Sequence, residues 1–123
     1  MKNKVLIIED DAVVSRIFQS LITKKAFADV SVAVTSEEGL RKLESEKPSL
    51  LIIDMFLNNQ PTLETIKKVK KSEMYQSLPI IVFTVIGDKE NMESLKALGV
   101  KDFIIKGSTS MGEALSLVSK ALN

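Results

Sequence analysis

One short run most narrows what this chain can become. Ser49 is followed by Leu50-Leu51-Ile52-Ile53, and the run stops abruptly on a carboxylate, Asp54. An unbroken apolar stretch of this length, with Pro48 before it and polar residues after it, predicts a strand buried on both faces of a parallel sheet. Asp54 then sits at the carboxyl end of that strand, where open α/β sheets place their ligand crevice. The pattern recurs. Val5-Leu6-Ile7-Ile8 ends in Glu9-Asp10-Asp11, Ile80-Ile81-Val82-Phe83 follows Pro79 and ends at Thr84, and Val100 to Ile105 ends at Lys106. Val30, Val32 and Val34 alternate with Ser31, Ala33 and Thr35, which predicts an edge strand with one buried and one wetter face.

Helical spacing fills the intervals. Ala12 to Lys25 carries Val13, Ile17 and Leu21, with Val14, Phe18 and Ile22 beside them, behind acids that suit a helix N-terminus. Ser36, Glu37 and Glu38 open a second helix bearing Leu40 and Leu43, stopped by Pro48. Asn58-Asn59-Gln60-Pro61 reads as a loop before a third helix with Leu63, Ile66 and Val69. Gly87-Asp88 starts a fourth with Met92, Leu95 and Leu98, closed by Gly99. Met111, Ala114, Leu115, Val118 and Leu122 share one face of a fifth. Strand and helix alternate without linker or repeat, so one domain over residues 1–123 is expected. It is a doubly wound α/β fold, flavodoxin-like and three-layered, with five parallel strands in the order 2-1-3-4-5. Strands one and three are then neighbours about 4.8 Å apart, so Asp10 and Asp54 can meet, with Thr84 and Lys106 on the next two strands.

Composition removes whole classes of chemistry. Cys and His are absent, which rules out disulfides, cysteine or histidine metal sites, Ser/His/Asp triads and phosphohistidine on this chain. Carboxylate, hydroxyl and lysine chemistry remains. Lys plus Arg is 17 against 16 Asp plus Glu, a formal charge of +1, so the chain carries no electrostatic footprint for nucleic acid. Lys67, Lys68, Lys70 and Lys71 make a basic face that reads as solvated. Met1-Lys2-Asn3-Lys4 leads into only four apolar residues before Glu9, far short of a signal segment or a membrane span. A cytoplasmic protein with no membrane partner is expected.

Glu9-Asp10, Asp54, Thr84 and Phe103-Ile104-Ile105-Lys106, closing four apolar runs in this order, resemble the receiver domain of two-component response regulators over essentially the whole chain. Each piece alone has a plainer reading: an acidic helix cap, a turn threonine, a solvated lysine, a core aromatic. Their joint placement favours a site. A carboxylate accepts a phosphoryl group only where positive charge compensates the incoming anion. Mg²⁺ takes one or two carboxylates plus phosphate and water, a set that Asp10 and Asp54 offer.

The resemblance implies more. Asp54 is the phosphoacceptor, loaded by a sensor histidine kinase or phosphotransfer protein, and the Phe56 backbone carbonyl completes the protein ligands of Mg²⁺ while Glu9 acts through water. Lys106 pairs with one phosphoryl oxygen and Thr84 donates to another. On phosphorylation Thr84 moves toward the group, Phe103 turns inward, and a downstream protein binds helix four, strand five and helix five. The chain is then a signalling switch rather than an enzyme. No output domain is expected, and the signal leaves by protein binding.

Several positions depart from the family pattern. Gly107 stands where proline usually follows the lysine, which predicts a trans bond and a less firmly aimed Lys106. Val85 stands where a small residue is favoured, and Phe56 and Ile86 flank the site as apolar residues; together they predict hindered water, a long-lived phosphoryl group and slow loading by small donors. The segment 58–62 lacks the usual proline and Asp-Gly pattern. These departures leave a second reading, a pseudo-receiver that docks partners without phosphorylation. A third, an aspartate-nucleophile phosphohydrolase of the haloacid dehalogenase type, expects Asp-x-Asp on the first strand, where this chain has Glu9-Asp10-Asp11.

Overall fold

The computed structural model describes residues 3–25, 28–85 and 88–123; Ile86 and Gly87, expected to flank the site and to open a helix, lie outside the described residues. In order, the elements are β1 (Asn3–Ile8), α1 (Ala12–Lys25), β2 (Ala28–Ala33), α2 (Ser36–Glu46) and β3 (Leu50–Asp54). A small hairpin follows (Phe56–Leu57 with Gln60–Pro61), then α3 (Leu63–Lys71), β4 (Ile80–Thr84), α4 (Lys89–Ala97), β5 (Asp102–Ile105) and α5 (Met111–Leu122). The five main strands form an all-parallel sheet in the order β2-β1-β3-β4-β5, the doubly wound arrangement read from the sequence. No helix among the described residues is long and apolar enough to cross a membrane.

Strand alternation splits the core into two layers. Val5, Ile7, Ile52, Ile81 and Phe83 pack with Phe18 and Ile22 of α1 and Val118 of α5, while Leu6, Ile8, Ile53 and Val82 pack with Leu43, Ile66 and Leu95 of α2, α3 and α4. Every residue of β3 is buried. Each such Leu or Ile contributes roughly 1.5–3 kcal/mol relative to an exposed one, which is why an uninterrupted apolar run belongs at the centre and the mixed β2 at the edge.

Four local expectations are corrected. On α1 the buried stripe is Phe18 and Ile22 with Ser15, while Val13 and Ile17 are 66% and 44% exposed. Two adjacent apolar stripes share this helix, and the sheet takes the one with the bulky Phe18. β2 ends at Ala33, leaving Val34 half exposed. α2 opens at Ser36 as expected, and Thr35 before it is the cap, accepting from the Glu38 N–H at 3.1 Å while Glu38 Oε1 accepts from the Val34 N–H at 2.8 Å. Residues 58–61 are not a plain loop. Phe56–Leu57 pairs antiparallel with Gln60–Pro61 around Asn58 and Asn59, both left-handed (φ 50° and 63°), as a two-residue type I′ turn requires. β5 begins at Asp102 because Val100 still closes α4, its N–H reaching the Leu95 carbonyl at 3.1 Å while that of left-handed Gly99 reaches Lys96 at 2.9 Å.

Gly39 lets α2 lie close on the sheet. A Cβ there collides with Cδ1 of Ile8, itself 1% exposed and without room to retreat. Gly39→Ala gains about 1 kcal/mol of helix propensity against about 1–3 kcal/mol of overpacking. Urea denaturation is expected to show a net loss of stability, contrary to the usual effect of this substitution in a helix.

Candidate functional site

The register aligns the strand ends. Ile8 pairs with Ile53, Asp54 with Phe83, and Thr84 with Ile105, so Glu9 stands level with Asp54 and Lys106 lies one step past the end of β5. Alternation sends Glu9 and Asp54 to the α1/α5 side of the sheet, with Ile7 and Ile52. Thr84 follows Val82 to the other side, beside Met55.

Lys106 joins the carboxylates. Its Nζ lies 2.8 Å from Asp54 Oδ2 and 3.2 Å from Glu9 Oε1, and 5.7 Å above the centre of the Phe83 ring. The other oxygen of Asp54, Oδ1, accepts from the Phe56 N–H at 3.1 Å. Asp10 is exposed, and its Oδ2 accepts from the Asn58 N–H of the hairpin turn at 3.0 Å. Of the three consecutive acids only Asp11 is a cap, its Oδ1 accepting from Val13 at 2.9 Å and Val14 at 3.3 Å. One carboxylate oxygen from each of Glu9, Asp10 and Asp54 lies within 4.8 Å of the other two.

Burial sets the charge state. Glu9 is 0% exposed, and its carboxyl is pushed up to about 8, first by loss of solvent, then by its hydrogen bond with Asp54 and the charge of Asp54, against the opposing pull of Lys106. At neutral pH Glu9 therefore keeps its proton, and the ammonium is met chiefly by Asp54. For Lys106 burial acts to lower the ammonium's pKa, but the hydrogen bond and charge of Asp54, with those of Glu9, outweigh it and leave the pKa raised.

The bond between Lys106 and Gly107 is trans, as expected, and the backbone on either side of Lys106 is hydrogen-bonded. No cis peptide occurs among the described residues, and Gly107 is left-handed at φ 81°. The turn it makes is closed by Thr109, whose Oγ1 accepts from the Ile105 N–H and whose own N–H reaches the Ile105 carbonyl, both at 2.8 Å. The Lys106 N–H holds the Thr84 carbonyl, also at 2.8 Å.

Thr84 is buried, with its hydroxyl 3.4 Å from both Met55 Sδ and the Val85 carbonyl, a weak pairing directed away from Asp54. Phe103, opposite Val82 in the register, is part-buried against the same layer as Thr84. Val85 is half exposed.

Three neighbouring carboxylates offering only oxygen fit a hard divalent cation such as Mg²⁺ better than a softer metal. Two contributors escaped the sequence reading. The Asn58 N–H is invisible in a sequence, although the Asn-Asn pair is itself a turn signal. Thr62, 2% exposed, donates its hydroxyl to the Asp54 carbonyl at 2.7 Å, and only the fold reveals that contact.

Comparison with known proteins agrees with this geometry. The probable C4-dicarboxylate response regulator DctR of Halalkalibacterium halodurans is 33% identical over 107 residues, covering 86% of this chain and 46% of that protein. The chain thus spans under half the length of that relative. The chemotaxis protein CheY of Thermotoga maritima is 30% identical over 123 residues, covering 98% of this chain and 100% of that one. The crystal structure of a response regulator receiver protein from Pseudomonas putida superposes with a TM-score of 0.85 at 30% identity, covering 98% of each chain. The profile of the response regulator receiver domain matches residues 5–116, and with strand-end acids and lysine gathered as described, this chain belongs to that family.

Proposed function

We propose that the chain is a phosphoacceptor receiver unit in which Asp54 takes a phosphoryl group from a sensor histidine kinase or phosphotransfer protein in the cytoplasm. The observation that carries this reading is the convergence of Lys106 Nζ, 2.8 Å away, and the Glu9 and Asp10 carboxylates on Asp54. An oxygen of Asp54 forms the new bond to phosphorus as the donor's P–N bond breaks. Lys106 follows the charge onto a phosphoryl oxygen, as a point charge on a flexible stem can. Asp10, Asp54, the Phe56 carbonyl and, through water, Glu9 would hold Mg²⁺, which would supply the remaining positive charge. Thr84 turns its hydroxyl from Met55 to the phosphoryl group, Phe103 moves into the vacated space, and α4, β5 and α5 present the changed surface to a downstream protein. The chain's own chemistry ends at gaining and losing this group.

The test is two-dimensional NMR with Mg²⁺ before and after adding beryllofluoride, a stable phosphoryl mimic; the chain has no Trp to report by fluorescence. Expected are shifts that require Mg²⁺, spread from Asp54 through Thr84 to Phe103 and Lys106, and vanish in Asp54→Asn. A spectrum indifferent to both additions would instead favour an adaptor that binds partners without phosphorylation.

A further inference from the structure

We infer that Thr62, at the entrance to α3, is a positioning residue for phosphoryl transfer to Asp54, acting through the two peptide groups that follow the acceptor. The inference rests on the reading of Asp54 as phosphoacceptor and adds a residue to it. Thr62 is 2% exposed, and its hydroxyl lies 2.7 Å from the Asp54 carbonyl and 3.1 Å from that of Met55. Its N–H also donates to the Met55 carbonyl, at 2.9 Å.

The consequence follows from peptide planarity. In a trans peptide the C=O and the next N–H point in opposite directions within one rigid plane. The plane joining Asp54 to Met55 is held on one edge by the Thr62 hydroxyl and on the other by the Met55 N–H, which donates to the Phe83 carbonyl at 2.8 Å. The plane joining Met55 to Phe56 is held on its carbonyl edge by Thr62, and its opposite edge is the Phe56 N–H that donates to Asp54 Oδ1 at 3.1 Å. Rotating that plane takes the donor off the reactive carboxylate. It also turns the chain leading to the Phe56 carbonyl. Thr62 thus fixes, from behind, the backbone donor and the direction of the chain at the acceptor, without approaching the reacting atoms.

The hydroxyl, rather than the methyl or the backbone N–H, separates this role from simple packing. Thr62→Val keeps shape and N–H but removes the donor; Thr62→Ser keeps the donor. Two quantities are read on each full-length variant: the Mg²⁺ dissociation constant by NMR titration, and the rate of Asp54 phosphorylation by acetyl phosphate at saturating Mg²⁺, with unfolding midpoints as a check on the fold. The Phe56 amide shift, followed against Mg²⁺, reports the donor directly. Expected for Thr62→Val are a phosphorylation rate about tenfold lower, a severalfold weaker Mg²⁺ affinity and a displaced Phe56 amide, with Thr62→Ser within about twofold of wild type. If the valine variant unfolds, Thr62→Cys, a smaller side chain with a poorer donor, is read for the same quantities. Wild-type values in the valine variant, or a serine variant as impaired as the valine one, overturn the inference. A wild-type protein that takes up neither Mg²⁺ nor a phosphoryl group fails at the earlier step and overturns the receiver reading instead.

Discussion

Replacing Lys106 by alanine is expected to move two measurements in opposite directions: Mg²⁺ binds about tenfold tighter, and phosphorylation of Asp54 slows by roughly 10²-fold or more. The first effect arises because Nζ, 2.8 Å from Asp54 and 3.2 Å from Glu9, already supplies positive charge to oxygens that a divalent cation would use. Removing it leaves the carboxylates short of a countercharge. The side chain is 34% exposed, so solvent screens part of this competition, and a single decade is the expected scale. The second effect arises because the same ammonium then has no place on the developing phosphoryl charge. Isothermal titration of Mg²⁺ and mass-spectrometric time courses with acetyl phosphate read the two separately. Weaker metal binding together with slow phosphorylation would mean that Lys106 organises the site rather than compensating its charge.

The second large effect is on pH. The Glu9 carboxyl is raised from 4.5 to about 8 in the folded protein, while in the unfolded chain it has no such burial. Between those values the folded state holds a proton that the unfolded state has released. The stability that Glu9 contributes is therefore complete below about pH 4.5, declines as pH rises through the window, and is lost above about 8. Its slope is at most about 1.4 kcal/mol per pH unit. Urea denaturation of the metal-free protein from pH 5 to 9 is expected to show this decline, and Glu9→Gln, which cannot ionise, to flatten it. Mg²⁺ demands the deprotonated carboxylate, so its affinity is expected to rise over the same interval and its binding to release a proton. A slope unchanged in Glu9→Gln assigns the titration to another group.

The features legible in the sequence are those written in one dimension. Leu50–Asp54 declares a central strand with a carboxylate at its tip because a parallel strand buried on both faces admits no polar interruption. The repeated form of the other strands then fixes the order of the sheet and the approach of Glu9, Asp10 and Lys106 to Asp54. What stayed hidden depends on a third dimension. Val13 and Ile17 are as apolar as the residues beside them, and only docking on the sheet chooses Phe18 and Ile22 to be buried. The hairpin at Asn58 and Asn59 had a local signal, two residues that tolerate the left-handed region, but three polar residues followed by a proline also suit an open loop. Thr62 shows nothing beyond a hydroxyl before a helix. The proton on Glu9 follows from burial, which no strand-end pattern states.

The division of the strand ends between the two sides of the sheet bears on how such a chain can be altered by descent. Asp54 and Glu9 face the α1/α5 side while Thr84 and Phe103 face the other, and this assignment rests only on the count of residues along each strand. Inserting or deleting one residue within β3 or β4 would exchange the sides. A one-residue change of length is therefore expected to be tolerated only in the connections between strands, whereas substitutions on the α4 side would leave the charges around Asp54 undisturbed.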